Sequence, residues 1–243
     1  MPNALHNIDV FILCGGRGSR LNRAGIDTPK PMQEIRGRPF LDIIIRYLSG
    51  FGLRRFILGT GYKAGVIESY YRQNALSGVE IVFSPEDRPL DTGGAVCNAR
   101  GLIRSSHFFV LNGDSFCKFN PARLFSFHQK KKAMASILLR KAGDTMDFGS
   151  VKMGSASRIV SFNEKAHSAQ SSLINAGVYI FDKNIFSLFP HKKFFSLEYD
   201  FFPKIIPRGI FGYITAVFFI DIGTPQRLQQ ARQGKGLLAV LAG

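Results

Sequence analysis

FILCGGRGSRLNRAGIDTPKPM, residues 11–32, runs from an apolar segment through a glycine-rich loop to a lysine flanked by prolines. The apolar run Val10 to Cys14 reads as a buried strand, and it stops abruptly at Gly15, Gly16 and Gly18. Glycines straight after a strand let bare backbone N–H groups wrap an anion with no Cβ in the way, which suits phosphate oxygens. Arg17, Arg20 and Lys30 lie within or just beyond this loop, and Lys30 is fixed between Pro29 and Pro31. Glycines and cations together predict a polyphosphate site. The pattern is not the P-loop, since no Gly-Lys-Ser/Thr follows, nor the dinucleotide fingerprint, since Gly16-Arg17-Gly18 lacks a third glycine at the required spacing.

Outward from this loop the chain alternates strand and helix. LDIIIRYLSGFGL (41–53) carries Leu41, Ile44, Ile45 and Leu48 at helical spacing, and Gly50 or Gly52 stops it. Phe56 to Leu58 reads as a strand, AGVIESYYRQNA (64–75) as an amphipathic helix, and Glu80 to Phe83 as a third strand. Gly93 to Leu102 reads as a helix after the turn at Pro89, and Phe108 to Leu111 as a fourth strand. This rhythm predicts a parallel sheet with helices on both faces, wound right-handedly. Beyond residue 126 the short runs Ala135 to Leu139, Val151 to Met153, Arg158 to Phe162 and Gly177 to Phe181 are separated by Gly, Ser and Asn rather than by helices. They predict an antiparallel extension that supplies a second half-site. Leu197 to Ile206 reads as a helix N-capped by Ser196, Phe211 to Ile220 as the last strand, and Thr224-Pro225 as the cap and first residue of a final helix.

The composition fits one domain over residues 1–243, because 45% hydrophobic residues can bury a full core. Its expected parts are a nucleotide-binding half at about 8–125, a second half at about 126–222, and a helix and tail at 224–243. The formal charge of +15 attracts anionic partners. The basic residues are scattered apart from Lys130 to Lys132, and no zinc-finger or RNA-binding signature is present, so no nucleic-acid partner is expected. Cys14, Cys97 and Cys117 form no CxxC pair and suit a reducing, cytoplasmic setting. MPNALHNID has no basic n-region, and no apolar segment approaches the roughly 20 residues that span a bilayer, so no membrane partner is expected.

Asp114 in FFVLNGDS and Asp221 in VFFIDIG each follow a strongly apolar strand. Ligands of open α/β sheets bind beyond the carboxyl ends of strands, so both carboxylates could face one crevice; each alone also reads as a turn former or cap. A nucleoside triphosphate is handled with Mg²⁺, which binds through one or two carboxylates plus phosphate oxygens and water.

GGRGSRL (15–21) followed by PKPM (29–32) resembles the signature of the sugar-1-phosphate nucleotidylyltransferases, usually GGxGTRL and then PKP, with Ser19 here in place of Thr. The resemblance runs from Val10 to about Ala231 and implies a Rossmann-like three-layer α/β fold with a mostly parallel central sheet and a small antiparallel extension. It implies that Leu13, Gly15, Gly16, Gly18, Ser19, Arg20, Lys30, Glu86, Gly93 and Asn112 bind nucleotide, with Arg20, Lys30 and Asp114 catalytic and Asp114 and Asp221 holding Mg²⁺. LDTGGA (90–95) matches LGTGGA with Asp91 where glycine is usual. Glu86 falls where the family reads the base, and an acceptor-only carboxylate suits the N1–H and N2–H₂ donors of guanine. Phe148-Gly149, Glu164-Lys165 and Asn175-Ala176-Gly177 match the sugar-phosphate motifs, EKA standing for the usual EKP. By that match Lys165 holds the phosphate, Glu164 and Asn175 bond the sugar's hydroxyls, and Gly149 completes the set. LNGDS, LINAGVY, FSLEYDFFP and FIDIGTPQ look most like the D-glycero-α-D-manno-heptose 1-phosphate guanylyltransferases, so GTP and that sugar phosphate are the expected partners; a homo-oligomer is compatible with the reading.

Rival readings make different demands. A uridylyl- or thymidylyltransferase acting on a hexose or N-acetylmuramate 1-phosphate would use UTP or dTTP, and a non-catalytic nucleotide-sugar-binding homologue would bind without turnover. His6, His107, His128, His167 and His191 show no paired metal spacing, and no GxSxG elbow marks a hydrolase. Phe194, Phe195, Phe201, Phe202, Phe218 and Phe219 read as core rather than as a stacking platform, because no basic stripe alternates with them.

Overall fold

The structure is a computed structural model in which residues 5–141, 150–163, 173–215, 218–234 and Leu237 are described. β1 (Asp9–Leu13) leads through the glycine loop into the short α1 (Ser19–Arg23). A two-rung hairpin, β2 (Glu34–Ile35) and β3 (Arg38–Pro39), then delivers the chain to α2 (Phe40–Ser49). The expected alternation follows: β4 (Arg55–Thr60), α3 (Ala64–Gln73), β5 (Glu80–Pro85), α4 (Asp91–Asn98) and β6 (His107–Asn112). β1 pairs in parallel with β4 on one side and β6 on the other, and β5 pairs in parallel with β4.

The pleat sorts the core. Val10 and Ile12 join the cluster under α2, whose Leu41, Ile44, Ile45 and Leu48 form the buried stripe expected from their spacing. Phe11, between them, faces the opposite layer with Ala95 and Val96 of α4.

After β6 come β7 (Ser115–Cys117), α5 (Pro121–Lys131), β8 (Ala135–Lys141), β9 (Ser150–Met153), β10 (Ile159–Asn163) and the long β11 (Leu173–Asp182). β11 pairs antiparallel with β6, and also with β8 and β9, so the antiparallel strands grow from the β6 edge. A bulge between Asn175 and Tyr179 bends β11. Within the bulge Gly177 has φ 69, and a Cβ there would stand 2.7 Å from Asn112 Nδ2; glycine meets both constraints.

The chain closes with α6 (Phe202–Ile205), β12 (Ile210–Thr215), β13 (Phe219–Asp221) and α7 (Pro225–Gln233). Ser196 accepts hydrogen bonds from the amides of Glu198 and Tyr199, the expected cap, although the first turn, Leu197–Phe201, is a π-helix and α6 proper starts at Phe202. Thr224 Oγ1 caps α7 by accepting from Arg227 N, with Pro225 first in the helix.

Two expectations need correction. The single strand expected over Phe211 to Ile220 is two: β12 lies parallel to β8 in the large sheet, whereas β13 pairs antiparallel with β7 in a separate ribbon. The helix expected from Gly93 starts at Asp91 and ends at Asn98, with a 3-10 turn over Ala99–Gly101.

Candidate active site

Strand order reverses at β1: β4 and β5 lie on one side, and the chain then crosses to place β6 on the other. A crevice opens beyond the carboxyl ends of strands at such a switch point. The cleft found there has a volume of about 420 Å³, within the range of small-molecule sites. Leu13, Gly15, Gly16 and Arg17 from the glycine loop, Lys30, and Asn112 and Asp114 from the end of β6 share it with Glu86 and the 89–92 turn.

The two halves of the opening motif are packed on each other. Gly18 takes φ 63, and a Cβ on it would meet Lys30 Cγ at 3.1 Å, so a glycine here lets the lysine stem pass beneath the loop. Lys30 Nζ donates to Asp114 Oδ2 at 3.0 Å. Arg17 lines the cleft, while Ser19 and Arg20 are exposed on α1 outside that lining.

Asp221 reaches the same region through the β7–β13 ribbon, where it pairs with Ser115, the residue after Asp114. Ile222 N donates to Asp114 O at 2.9 Å and fixes the register. Arg227 donates to Asp221 Oδ1 at 3.1 Å, and Gly223 N to the same oxygen at 2.9 Å. Burial first, and the nearby Asp114 second, raise the Asp221 carboxyl above its ordinary value. Crowded carboxylates with Lys30 and Arg227 as balancing cations form a donor set that suits a hard divalent cation. Among the described residues no group of three or more His, Cys, Asp or Glu could hold a metal, so further oxygens would come from substrate and water.

The opposite wall is built by the 86–95 segment. Glu86 Oε2 accepts from Leu90 N at 3.2 Å, and burial raises its carboxyl. Asp91 sits at φ 62, a conformation normally given to glycine and tolerated by Asp, and its Oδ1 accepts from Thr92 N at 2.7 Å. The departure from the usual glycine therefore keeps the turn.

A strap from the C-terminal half lies against this wall. Gly93 N and Gly94 N both donate to Phe195 O, and Phe195 N donates to Leu90 O. Phe195 is buried, but Phe194, expected in the core with the other phenylalanines, is 57% exposed and lines the cleft. Phe201 and Phe202 are core as expected, and Phe218 and Phe219 are half-buried. Gly93 itself is buried behind the wall, where a Cβ would collide with the Phe195 ring at 2.2 Å.

Asn175 stands at the bulge of β11. Its Nδ2 donates to Tyr179 OH at 2.7 Å and its Oδ1 accepts from Gly177 N at 3.0 Å. Gly149, Glu164 and Lys165 lie outside the described residues. Thr92 in the cleft wall, and Tyr179, Glu198 and Arg227 behind it, were not singled out from the sequence, and Phe194 was read there only as core. Arg17, one of the three cations expected to meet polyphosphate, does line the cleft; the missed residues gain their place from contacts distant in the chain.

Cys14 borders the cleft, but burial, with Asp114 and Glu86 nearby, pushes its thiol far up, so it stays protonated and is no nucleophile. Among the described residues no helix is long and apolar enough to cross a membrane.

The family model described as Nucleotidyl transferase matches residues 9–235. The chain is 34% identical over 226 residues to the mannose-1-phosphate guanylyltransferase of Mycobacterium tuberculosis, covering 92% of this chain and 63% of that protein. It is 35% identical over 227 residues to the D-glycero-alpha-D-manno-heptose 1-phosphate guanylyltransferase of Aneurinibacillus thermoaerophilus, covering 93% of this chain and 97% of that protein. It superposes on the crystal structure of HddC from Yersinia pseudotuberculosis complexed with GMP-PN with a TM-score of 0.81 at 34% identity, covering 93% of this chain and 98% of that one. The chain thus spans less than two thirds of the first relative's length and nearly all of the other two.

Proposed function

The chain belongs to the nucleotidyl transferase family, and from that premise we propose that it joins GTP to a sugar 1-phosphate, D-glycero-α-D-manno-heptose 1-phosphate, giving GDP-heptose and pyrophosphate. The observation that carries the reading is the convergence of the glycine loop, the Lys30–Asp114 pair and Glu86 on one cleft. The guanylyltransferase relatives and the GMP-PN complex support the guanine base.

A phosphate oxygen of the sugar 1-phosphate attacks the α-phosphorus of GTP in line, and the bond to the β-phosphate oxygen breaks as pyrophosphate leaves. The attacking oxygen is already anionic at neutral pH, so no side-chain nucleophile is required, and catalysis is alignment and charge neutralisation. The glycine-loop amides, Arg17, Arg20 and Lys30 bind the triphosphate and counter charge building on the phosphorus and the leaving group. Asp114 and Asp221 would hold Mg²⁺, which when bound neutralises phosphate charge and acts as a Lewis acid. Glu86 accepts from the N1–H and N2–H₂ edge of guanine, with Phe194 offering its ring to the base. By their match to the family motifs, Lys165 would relieve repulsion between the two anions, Glu164 and Asn175 would bond the sugar's hydroxyls, and Gly149 would complete the sugar-phosphate set. The reaction takes place in the cytoplasm.

A second reading keeps the base and changes the sugar, because the relative from Mycobacterium tuberculosis is a mannose-1-phosphate guanylyltransferase. Pyrophosphate release with Mg²⁺, measured over the common NTPs and a panel of sugar 1-phosphates, tests both halves. Turnover is expected with GTP and the heptose phosphate. Turnover with mannose 1-phosphate alone would replace the sugar, turnover with UTP or dTTP would overturn the role of Glu86, and binding without turnover would overturn the enzyme assignment.

A further inference from the structure

Behind the cleft lies a buried carboxylate that the proposed chemistry does not use. Glu198, 8% exposed, accepts three hydrogen bonds from hydroxyls: Thr92 Oγ1 at 2.6 Å and Ser196 Oγ at 2.9 Å on Oε2, and Tyr179 OH at 2.9 Å on Oε1. In all three bonds the hydroxyl is the donor, so all three hydroxyl protons point at Glu198. That fixes the direction of the bonds beyond. Tyr179 OH, having given its proton to Glu198, accepts from Asn175 Nδ2 at 2.7 Å, and Asn175 Oδ1 accepts from Gly177 N. Thr92 Oγ1, having given its proton to Glu198, accepts from Leu197 N at 2.8 Å. One continuous path therefore runs from the nucleotide-side turn, through Thr92, Glu198 and Tyr179, to the amide of Asn175.

We propose that Glu198 is a positioning residue that ties the nucleotide turn to the sugar-binding asparagine, so that a nucleotide in the cleft sets Asn175 for the second substrate. This rests on the guanylyltransferase reading above. With Nδ2 and Oδ1 committed inward, Asn175 presents to the sugar one remaining N–H and one oxygen lone pair in a fixed sense. A reversed amide would offer the opposite pattern. Ordering Thr92 by nucleotide holds Glu198, Glu198 holds the Tyr179 hydroxyl, and the hydroxyl together with Gly177 N holds the amide in place and in one sense. Communication of this kind is a coupling free energy and is measured as a change in one ligand's affinity caused by the other.

The test is calorimetric titration with guanosine 5′-(α,β-methylene)triphosphate, which cannot release pyrophosphate, and D-glycero-α-D-manno-heptose 1-phosphate, each alone and with the other saturating. In the unaltered chain the sugar phosphate should tighten by about fivefold or more when the analogue is present. Glu198→Gln and Tyr179→Phe should each bring that factor below about twofold while the analogue alone binds within about threefold of the unaltered chain. Ser196→Ala removes a bond to Glu198 that lies off the path, so it reports the cost of disturbing the network and should keep the coupling. Coupling that persists in Glu198→Gln and Tyr179→Phe, or that Ser196→Ala abolishes equally, overturns the proposal, as does its absence from the unaltered chain when the analogue binds. Failure of the analogue to bind at all overturns the guanylyl reading and this inference with it.

Discussion

Lys30 Nζ and Asp114 Oδ2 stand 3.0 Å apart although 84 residues separate them in the chain. Under the proposed function the pair joins the loop assigned to the triphosphate to the carboxylate assigned to the metal. It is part-exposed, so its worth to stability is small, less than about 1 kcal/mol. Its worth to turnover is larger, because charge placed where charge develops is worth about 10²- to 10³-fold in kcat. Lys30→Ala and Asp114→Asn should therefore lose at least that much pyrophosphate release while melting near the unaltered temperature. Near-normal kinetics in either variant would remove that residue from the mechanism.

Phe194 lines the cleft where the proposed function seats the base. The chain has no tryptophan, so Phe194→Trp creates a single reporter at the lip of the cleft. Its emission should be quenched by GTP and much less by inorganic triphosphate. Phe194→Ala should raise the KM for GTP about tenfold, in keeping with one base–aromatic contact, and leave the melting temperature unchanged because the ring is exposed. A silent tryptophan and an unaltered KM would place the base elsewhere.

Two glycines separate binding from packing. A Cβ on Gly16 would meet nothing within 4 Å, so Gly16→Ala should melt like the unaltered chain, and any fall in GTP affinity reads the loop itself. A Cβ on Gly93 would stand 2.2 Å from the buried Phe195 ring, so Gly93→Ala should cost about 1–3 kcal/mol in a urea titration. Equal stability losses in both would mean that the loop is packed rather than open.

His128 sets an acid limit on the fold. It is fully buried, with Nδ1 bonded to Ser136 Oγ at 2.9 Å, and burial, followed by the nearby His107, pushes its pKa down to about 4. The unfolded imidazole titrates near 6.5, so between about 6.5 and 4 the unfolded chain binds a proton that the folded chain refuses. Stability is thus full above that window and falls through it as pH drops, by about 3 kcal/mol in all. Urea midpoints measured across the window should follow this slope, and His128→Leu should flatten it. An unchanged slope in the variant would assign the acid sensitivity to other groups.

Glu86 makes a separate claim on pH. Its raised carboxyl must be ionised to accept from guanine, so affinity for GTP should weaken as pH falls, beginning above the ordinary carboxylate range. ITP lacks the N2–H₂ donors, so its affinity should fall less over the same titration. Parallel loss for both nucleotides would point to phosphate binding as the sensitive step.

The parallel block was legible because each strand is a short apolar run stopped by glycine, asparagine or, in β5, Ser84-Pro85, and followed by helical spacing as at Leu41 to Leu48. The phosphate loop and the two aspartates were legible because their residue types lie at strand ends. The division of residues 211–221 was not, since Phe211 to Ile214 and Phe218 to Ile220 are alike in apolarity and no turn residue marks the change of sheet. The exposure of Phe194 was hidden for a related reason. Phe195 is tied by backbone bonds to Leu90, Gly93 and Gly94 and buried, while Phe194 one residue earlier stands at a bend and is exposed, so two adjacent phenylalanines meet different fates. The role of Glu198 was invisible, because its hydroxyl donors come from positions 92, 179 and 196.

The β7–β13 ribbon has a consequence for the order in which the molecule is made. Asp114 leaves the ribosome with the nucleotide half, but Asp221 can join it only after β13 has been synthesised and has docked, across a loop of about a hundred residues whose closure is entropically slow. The two carboxylates therefore stand together only once β13 has docked on β7. Until that docking the stretch that carries Asp114 lacks its second carboxylate, so under the proposed function a nascent chain would be inert while the ribbon is open.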